Sequence, residues 1–103
     1  MLALSDRAKK LINSVFADEM TRNTVKEKLV NECGIGVPFC ENSTPEEMDR
    51  IRFSVVKLSE GEMKKLESAI ELANVDWRDL FMAAGFGHDV EEHNKWYEKT
   101  VGN

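Results

Sequence analysis

Residues 48–58 read Met48-Asp49-Arg50-Ile51-Arg52-Phe53-Ser54-Val55-Val56-Lys57-Leu58, and the fold class turns on how this stretch is taken. Met48, Ile51, Val55 and Leu58 recur at helical spacing, whereas Ile51, Phe53 and Val55 alternate with Arg52 and Ser54 as in a half-buried strand. Just upstream, Thr44-Pro45-Glu46-Glu47 supplies a capping hydroxyl, a proline at the first helical position and a glutamate at the third. That start signal favours a helix beginning there, with a short strand over 51–57 as the alternative.

Downstream, Ser59-Glu60-Gly61-Glu62 repeats the capping-box spacing, and Met63, Leu66, Ala69, Ile70 and Ala73 then form an apolar stripe of about three turns. Asp76 is placed to cap a short helix carrying Trp77, Leu80, Phe81 and Ala84, with Gly85 as its stop. Asp89 can cap a last helix running to about Lys99, along which Val90, His93, Trp96 and Tyr97 fall close together. Upstream, Ser5 precedes a helix over about Asp6 to Ala17 whose stripe is Ala8, Leu11, Ile12, Val15 and Phe16. Thr21 or Thr24 then caps a second helix through Val25, Leu29, Val30 and Cys33, which Gly34 ends. Gly34 to Ser43, with two glycines and Pro38, reads as a loop.

Helices of two to four turns are marginal alone in water, so their stripes must share a core. The expectation is an all-α fold: a compact irregular bundle of about five or six short helices forming one domain over residues 1–103. Trp77, Leu80, Phe81, Phe86, Trp96, Leu66 and Ile70 are expected at its centre. A hydrophobic fraction of 42% and a charged fraction of 32% suit a globular chain better than a disordered or membrane-spanning one. No run approaches the roughly 18 apolar residues of a spanning helix. Met1 to Lys10 resembles neither a secretory signal nor a transit peptide, so the expected location is the cytoplasm.

The formal charge of −5 is unevenly placed: residues 1–44 are balanced, and the chain from Pro45 carries eight basic against thirteen acidic residues. Such a field repels phosphate backbones and attracts basic protein surfaces, so a protein partner is expected rather than nucleic acid or membrane. Arg50, Arg52, Lys57, Lys64 and Lys65 could form a basic stripe, but interleaved carboxylates make them read as a mixed solvated face.

Reaction chemistry has little to work with. Cys33 and Cys40, with six residues between them, fit neither a C-x-x-C redox pair nor a zinc knuckle, and read as reduced thiols. His88 and His93 are not the i, i+4 pair of a zinc helix, and His93 reads as a packed partner of Trp96 or Trp77. Asp76 and Asp79 read as helix-start residues rather than an acid–base pair, and Arg78 as an ion-pair residue. Gly85-Phe86-Gly87 lacks the strand and spacing of a phosphate loop. The expectation is a protein without enzymatic activity, metal or cofactor.

Arg52-Phe53-Ser54-Val55-Val56-Lys57-Leu58-Ser59-Glu60-Gly61 and Asp76-Trp77-Arg78-Asp79-Leu80-Phe81-Met82-Ala83-Ala84-Gly85-Phe86 resemble small bacterial proteins with R-F-x-x-x-K-L-S-x-G and D-W-R-D-L-x-x-A-A-G-F blocks. The likeness covers the second half, to His93 and Trp96, and the first 44 residues have no counterpart in it. The resemblance connects the chain with immunity proteins encoded beside polymorphic or contact-dependent toxins, and so implies a cognate basic toxin domain, such as a nuclease, as partner. An acidic protein can neutralise such a domain by steering and by covering its cleft. The partner-binding residues then expected are Glu60, Glu62, Glu67 and Glu71, or Glu91, Glu92 and Glu98, with Tyr97 as an exposed aromatic anchor. A regulatory or self-associating domain, a homodimer through an uncovered apolar stripe, is the competing reading.

Overall fold

The computed structural model describes residues 3–33, 44–46, 48–87, 89 and 91–102. It contains six helices: α1 (Asp6–Val15), α2 (Glu19–Glu32), α3 (Asp49–Ser59), α4 (Met63–Val75), α5 (Trp77–Ala84) and α6 (Glu92–Val101). They take up 76% of the described residues, among which there is no strand. The fold is all-α.

The ambiguous stretch is helical, and its burial explains the ambiguity. Ile51, Arg52, Phe53, Ser54, Val55 and Val56 are all buried, because α1, α4, α5 and α6 pack around α3. A helix enclosed along most of its surface has too narrow a solvated face to give it a simple amphipathic stripe. Its polar residues therefore need internal partners. The Arg52 guanidinium donates from Nε to the Cys33 carbonyl at 3.0 Å and from Nη1 to the Ala3 carbonyl at 2.6 Å. Ser54 Oγ donates to the Arg50 carbonyl at 2.8 Å. Arg52 thus lies inside rather than on a mixed solvated face, a correction to the charge pattern.

Several helix starts differ from the sequence expectation. Asp18, not Thr21 or Thr24, caps α2: its carboxylate accepts from Thr21 N–H and Thr21 Oγ1 at 2.9 and 3.0 Å, while Thr24 Oγ1 donates back to Met20 O. Those bonds, the backbone one first, hold the exposed Asp18 carboxyl below its ordinary value. The Thr44-Pro45 signal begins a separate turn, in which Met48 N–H reaches Thr44 O and Asp49 N–H reaches Glu46 O, and α3 starts only at Asp49. Ser59 ends α3 instead of capping α4. Its hydroxyl donates to Val56 O and accepts from Gly61 N–H, and Glu60 and Gly61 follow with φ of 50° and 80°. Those two left-handed residues reverse the chain, a conformation glycine takes without strain.

Other boundaries follow the expected chemistry. Ser5 Oγ accepts from Ala8 N–H at 3.0 Å to open α1. Asp76 accepts from Arg78 and Asp79 N–H to open α5, and Gly85 at φ 82° closes it. Asp89 departs from expectation: it accepts from Glu91 N–H at 2.8 Å, but Glu91 is the residue that precedes α6 and no side chain among the described residues caps that helix, which runs two residues past Lys99. The expected Gly34 stop and the 34–43 loop, with Cys40, lie outside the described residues, as do Glu47, His88 and Val90.

The buried apolar side chains join in one cluster. Leu66, Ile70, Leu80, Phe81 and Phe86 are in it as expected, but Trp77 and Trp96 are only half-buried at its edge. The larger difference is that α3 occupies the middle. Phe53 stacks on Tyr97 with ring centroids 5.1 Å apart and planes at 11°, and the Arg7 guanidinium sits 5.3 Å from its ring centre. This one side chain joins α1, α3 and α6. Phe53→Ala is expected to cost about 3–5 kcal/mol of stability in urea unfolding, the range for truncating a buried phenylalanine; a cost below about 1 kcal/mol would contradict the central placement of α3.

Candidate functional site

Two kinds of place could carry function: the polar cluster inside the fold and the charged faces outside it. The inner cluster begins at Ser5, whose hydroxyl donates to Asp49 Oδ1 at 2.5 Å. Arg7 Nη1 lies 4.0 Å from Asp49 Oδ2, and Arg52 is one turn further along α3. Asp49 and Arg52 have no measurable exposure. Burial raises the Asp49 carboxyl above its ordinary value, opposed by the Ser5 bond and by the charges of Arg7 and Arg52. Burial likewise pushes the Cys33 thiol up to about 12, so it is neutral near pH 7 and a weak nucleophile. The cluster is closed to substrate, and its bonds tie α1 to α3.

His93 is half-buried against Phe53 and Phe86, its ring 5.7 and 6.3 Å from theirs, rather than against Trp77. Asp76 spends its carboxylate on the first amides of α5. The exposed Arg78 lies 5.2 Å from the Trp77 ring centre and, among the described residues, makes no ion pair. No group of three His, Cys, Asp or Glu among the described residues is placed to hold a metal ion. No helix among them is long and apolar enough to cross a membrane.

The outer face of α4 gathers the first set of expected partner-binding residues. Its inner side, Leu66, Ala69, Ile70 and Ala73, is buried. The outer side carries a shallow trough of about 520 Å³, floored by Leu58, Ala69 and Leu72 and edged by Glu62, Lys64 and Lys65. Through Ser68 and Leu72 the trough continues into a second hollow reaching Glu71 and Val75. Val75 is 76% exposed. Glu67 and Glu71, one helical turn apart, are both exposed.

These carboxylates are not equivalent. Lys65 Nζ bridges Glu60 and Glu62, 3.3 Å from each, and those bonds hold its ammonium above the ordinary lysine value. Glu67 shares Lys28 with Glu32, each contact being 3.8 Å. Glu71 makes no ion pair among the described residues, which leaves it the least compensated carboxylate beside the apolar strip.

The second expected set is spread along α6. Glu91 accepts from Asn94 Nδ2 at 2.8 Å, Glu92 pairs with Lys95 at 3.4 Å, and Glu98 is exposed. Tyr97 is not the exposed anchor expected of it. It is buried, stacked on Phe53, with the Arg7 guanidinium 4.4 Å from its ring centre. Tyr97 follows His93 by one turn and faces inward with it, because that side of α6 packs on α1 and α3.

Leu58, Leu72 and Val75 were absent from the sequence reading of the site. A signal existed: Leu72 and Val75 are three apart and off the 66–69–70–73 stripe, so a helix burying that stripe must turn them outward. Comparison of the chain with known protein families, curated proteins and solved structures finds no match to any of them.

Asp49 gives a signed pH test. A native carboxyl that binds its proton more tightly than the unfolded chain does contributes stability that is complete below the ordinary value of 3.8 and is lost as pH rises through the raised native value. Asparagine does not titrate. The stability of the wild type relative to Asp49→Asn should therefore fall as pH rises above the ordinary value of 3.8 in urea unfolding; a relative stability that grows with pH would show the carboxyl to be held below, not above, its ordinary value.

Proposed function

We propose that this protein works by contact, as an acidic binding domain that neutralises a basic protein partner, and that α4 presents the surface it uses. The observation carrying this reading is the strip of Leu58, Leu72 and the 76%-exposed Val75, bordered by Glu62, Lys64, Lys65 and Glu71. Apolar surface with a polar and charged rim is the usual make-up of a recognition patch. From Glu60 to Asp79 the chain holds six carboxylates against three basic residues, so this segment contributes a net negative field. Such a field speeds encounter with a cation-rich surface, while the apolar strip supplies contact that persists once water is excluded.

The resemblance to immunity proteins suggests the partner: a basic toxin domain, such as a nuclease, whose phosphate-binding cleft would attract the exposed carboxylates beside the apolar strip. Inhibition would then need only occupancy of that cleft, with no reaction by this chain. Glu71, without an ion pair of its own among the described residues, gives up the least on meeting an arginine or lysine.

The test is protection on co-expression with the basic toxin domain encoded beside the gene, together with the affinity of the two purified products. Wild type should protect. Val75→Asp, which alters only an exposed side chain, should weaken binding at least about tenfold, and Glu71→Lys should slow association and flatten its salt dependence. Full protection by both variants would move the interface away from α4. Absence of protection by wild type, with concentration-dependent sedimentation of the chain alone, would replace the toxin reading with self-association.

A further inference from the structure

Away from the acidic face of α4, one cavity has the opposite charge. It lies between the start of α3, the outer side of α5 and the turn at Gly87, and is lined by Arg50, Trp77, Arg78, Phe81, Met82 and Gly87. Its volume of about 390 Å³ is within the ordinary range of small-molecule sites. Trp77 and Phe81 meet edge to face, 5.6 Å between centroids, and Met82 is 61% exposed beside them.

Both guanidiniums are held at this cavity by aromatic faces rather than by carboxylates. Arg50 lies 4.1 Å from the Phe81 ring centre and donates from Nη2 to the Gly87 carbonyl at 2.9 Å. Its Nε is shielded from solvent and, among the described residues, has no hydrogen-bond partner. Arg78 lies 5.2 Å from the Trp77 ring centre. Among the described residues no carboxylate comes within 4.0 Å of either. Asp76 is engaged by the α5 amides, and Asp89 acts on Arg50 only through its field.

We propose that the Arg50–Arg78 cavity is a binding site for a small planar anion, an aromatic ring bearing a phosphate monoester or a carboxylate. The guanidiniums supply N–H donors for the anionic group, with Arg78 the more accessible of the two, and the half-buried Trp77 indole and the exposed Met82 thioether supply apolar surface for the ring, Phe81 being buried beneath Arg50. The net charge of −5 disfavours a polyanion such as a nucleic acid. A single anionic group bound close to two cations is far less affected, since the more distant carboxylates are screened over about 8–10 Å at physiological salt.

The experiment is a titration of the full-length chain, isotope-labelled for NMR, with phenyl phosphate and with benzoate, each to about 10 mM. Inorganic phosphate is the ring-free control. Trp77 and Trp96 give separate indole N–H signals, and Trp96, which packs on Phe86 outside the cavity, is the internal reference. Saturable movement of the Trp77 signal with phenyl phosphate alone assigns the phosphate source, and with benzoate alone the carboxylate source. Either supports the site, as would both. Arg78→Gln should weaken the binding about tenfold without loss of helical circular dichroism, because Arg78 is exposed. Absence of saturation with both ring-bearing anions, equal affinity for inorganic phosphate, or unchanged affinity in Arg78→Gln would each overturn the proposal. Arg50→Gln also removes the Gly87 bond, so the exposed Arg78 carries the test.

Discussion

A guanidinium in the middle of the helical core fixes much of this architecture. Arg52 is fully buried, and a charge in such a place is tolerable only where its donors are met. Among the described residues, two carbonyls from distant parts of the chain accept from Arg52, Cys33 at the end of α2 and Ala3 before α1. The segment leading into α1 and the segment leaving α2 are thereby held to the same point on α3. One turn back, Asp49 supplies the opposing charge. Its own placement depends on Ser5, whose hydroxyl both accepts from the Ala8 amide in the first turn of α1 and donates to the carboxyl. The N-cap of one helix and the buried charge of another are therefore parts of one polar path, surrounded by Leu11, Ile12, Leu29, Ile51 and Val55.

This arrangement explains which parts of the fold were legible in the sequence. The helices with one wet face, α1 and α4, announce themselves by apolar spacing, and α5 by Asp76 and Gly85 at its ends. Local chemistry decides those elements. α3 is harder because nothing about Arg52, Ser54 or Asp49 in isolation says that they will be enclosed. The burial of Asp49 and Arg52 depends on carbonyls and a hydroxyl brought from 19 to 49 residues away, while Ser54 turns back to the Arg50 carbonyl of its own helix. For the same reason Thr44-Pro45 gives a turn rather than the start of α3, and Ser59 closes a helix where its spacing suggested opening one. A capping box states that a helix can begin, while the tertiary path decides whether the chain reverses there instead.

The candidate site was legible in part. Charge counting drew attention to the carboxylates around α4, and the spacing of α4 brings Glu67 and Glu71 to one outer side. The apolar half of the face was overlooked because Leu72 and Val75 look like core residues by type. Tyr97 fails in the opposite sense: a residue often found at interfaces is drawn inward by its partner Phe53. Arg50 and Arg78 show that charge sign along a sequence says little about a surface, since a chain of net −5 still places two arginines at one cavity.

The central claim is that Arg52 holds α3 to both flanking segments from within. Equilibrium urea unfolding of Arg52→Met measures this directly, because methionine keeps much of the apolar stem while removing every donor. The account predicts a loss of about 3 kcal/mol or more, as the carbonyls of Ala3 and Cys33 and the Asp49 charge are left without their buried partner. A variant that unfolds at the wild-type urea midpoint with an unchanged slope would show that apolar packing alone positions α3.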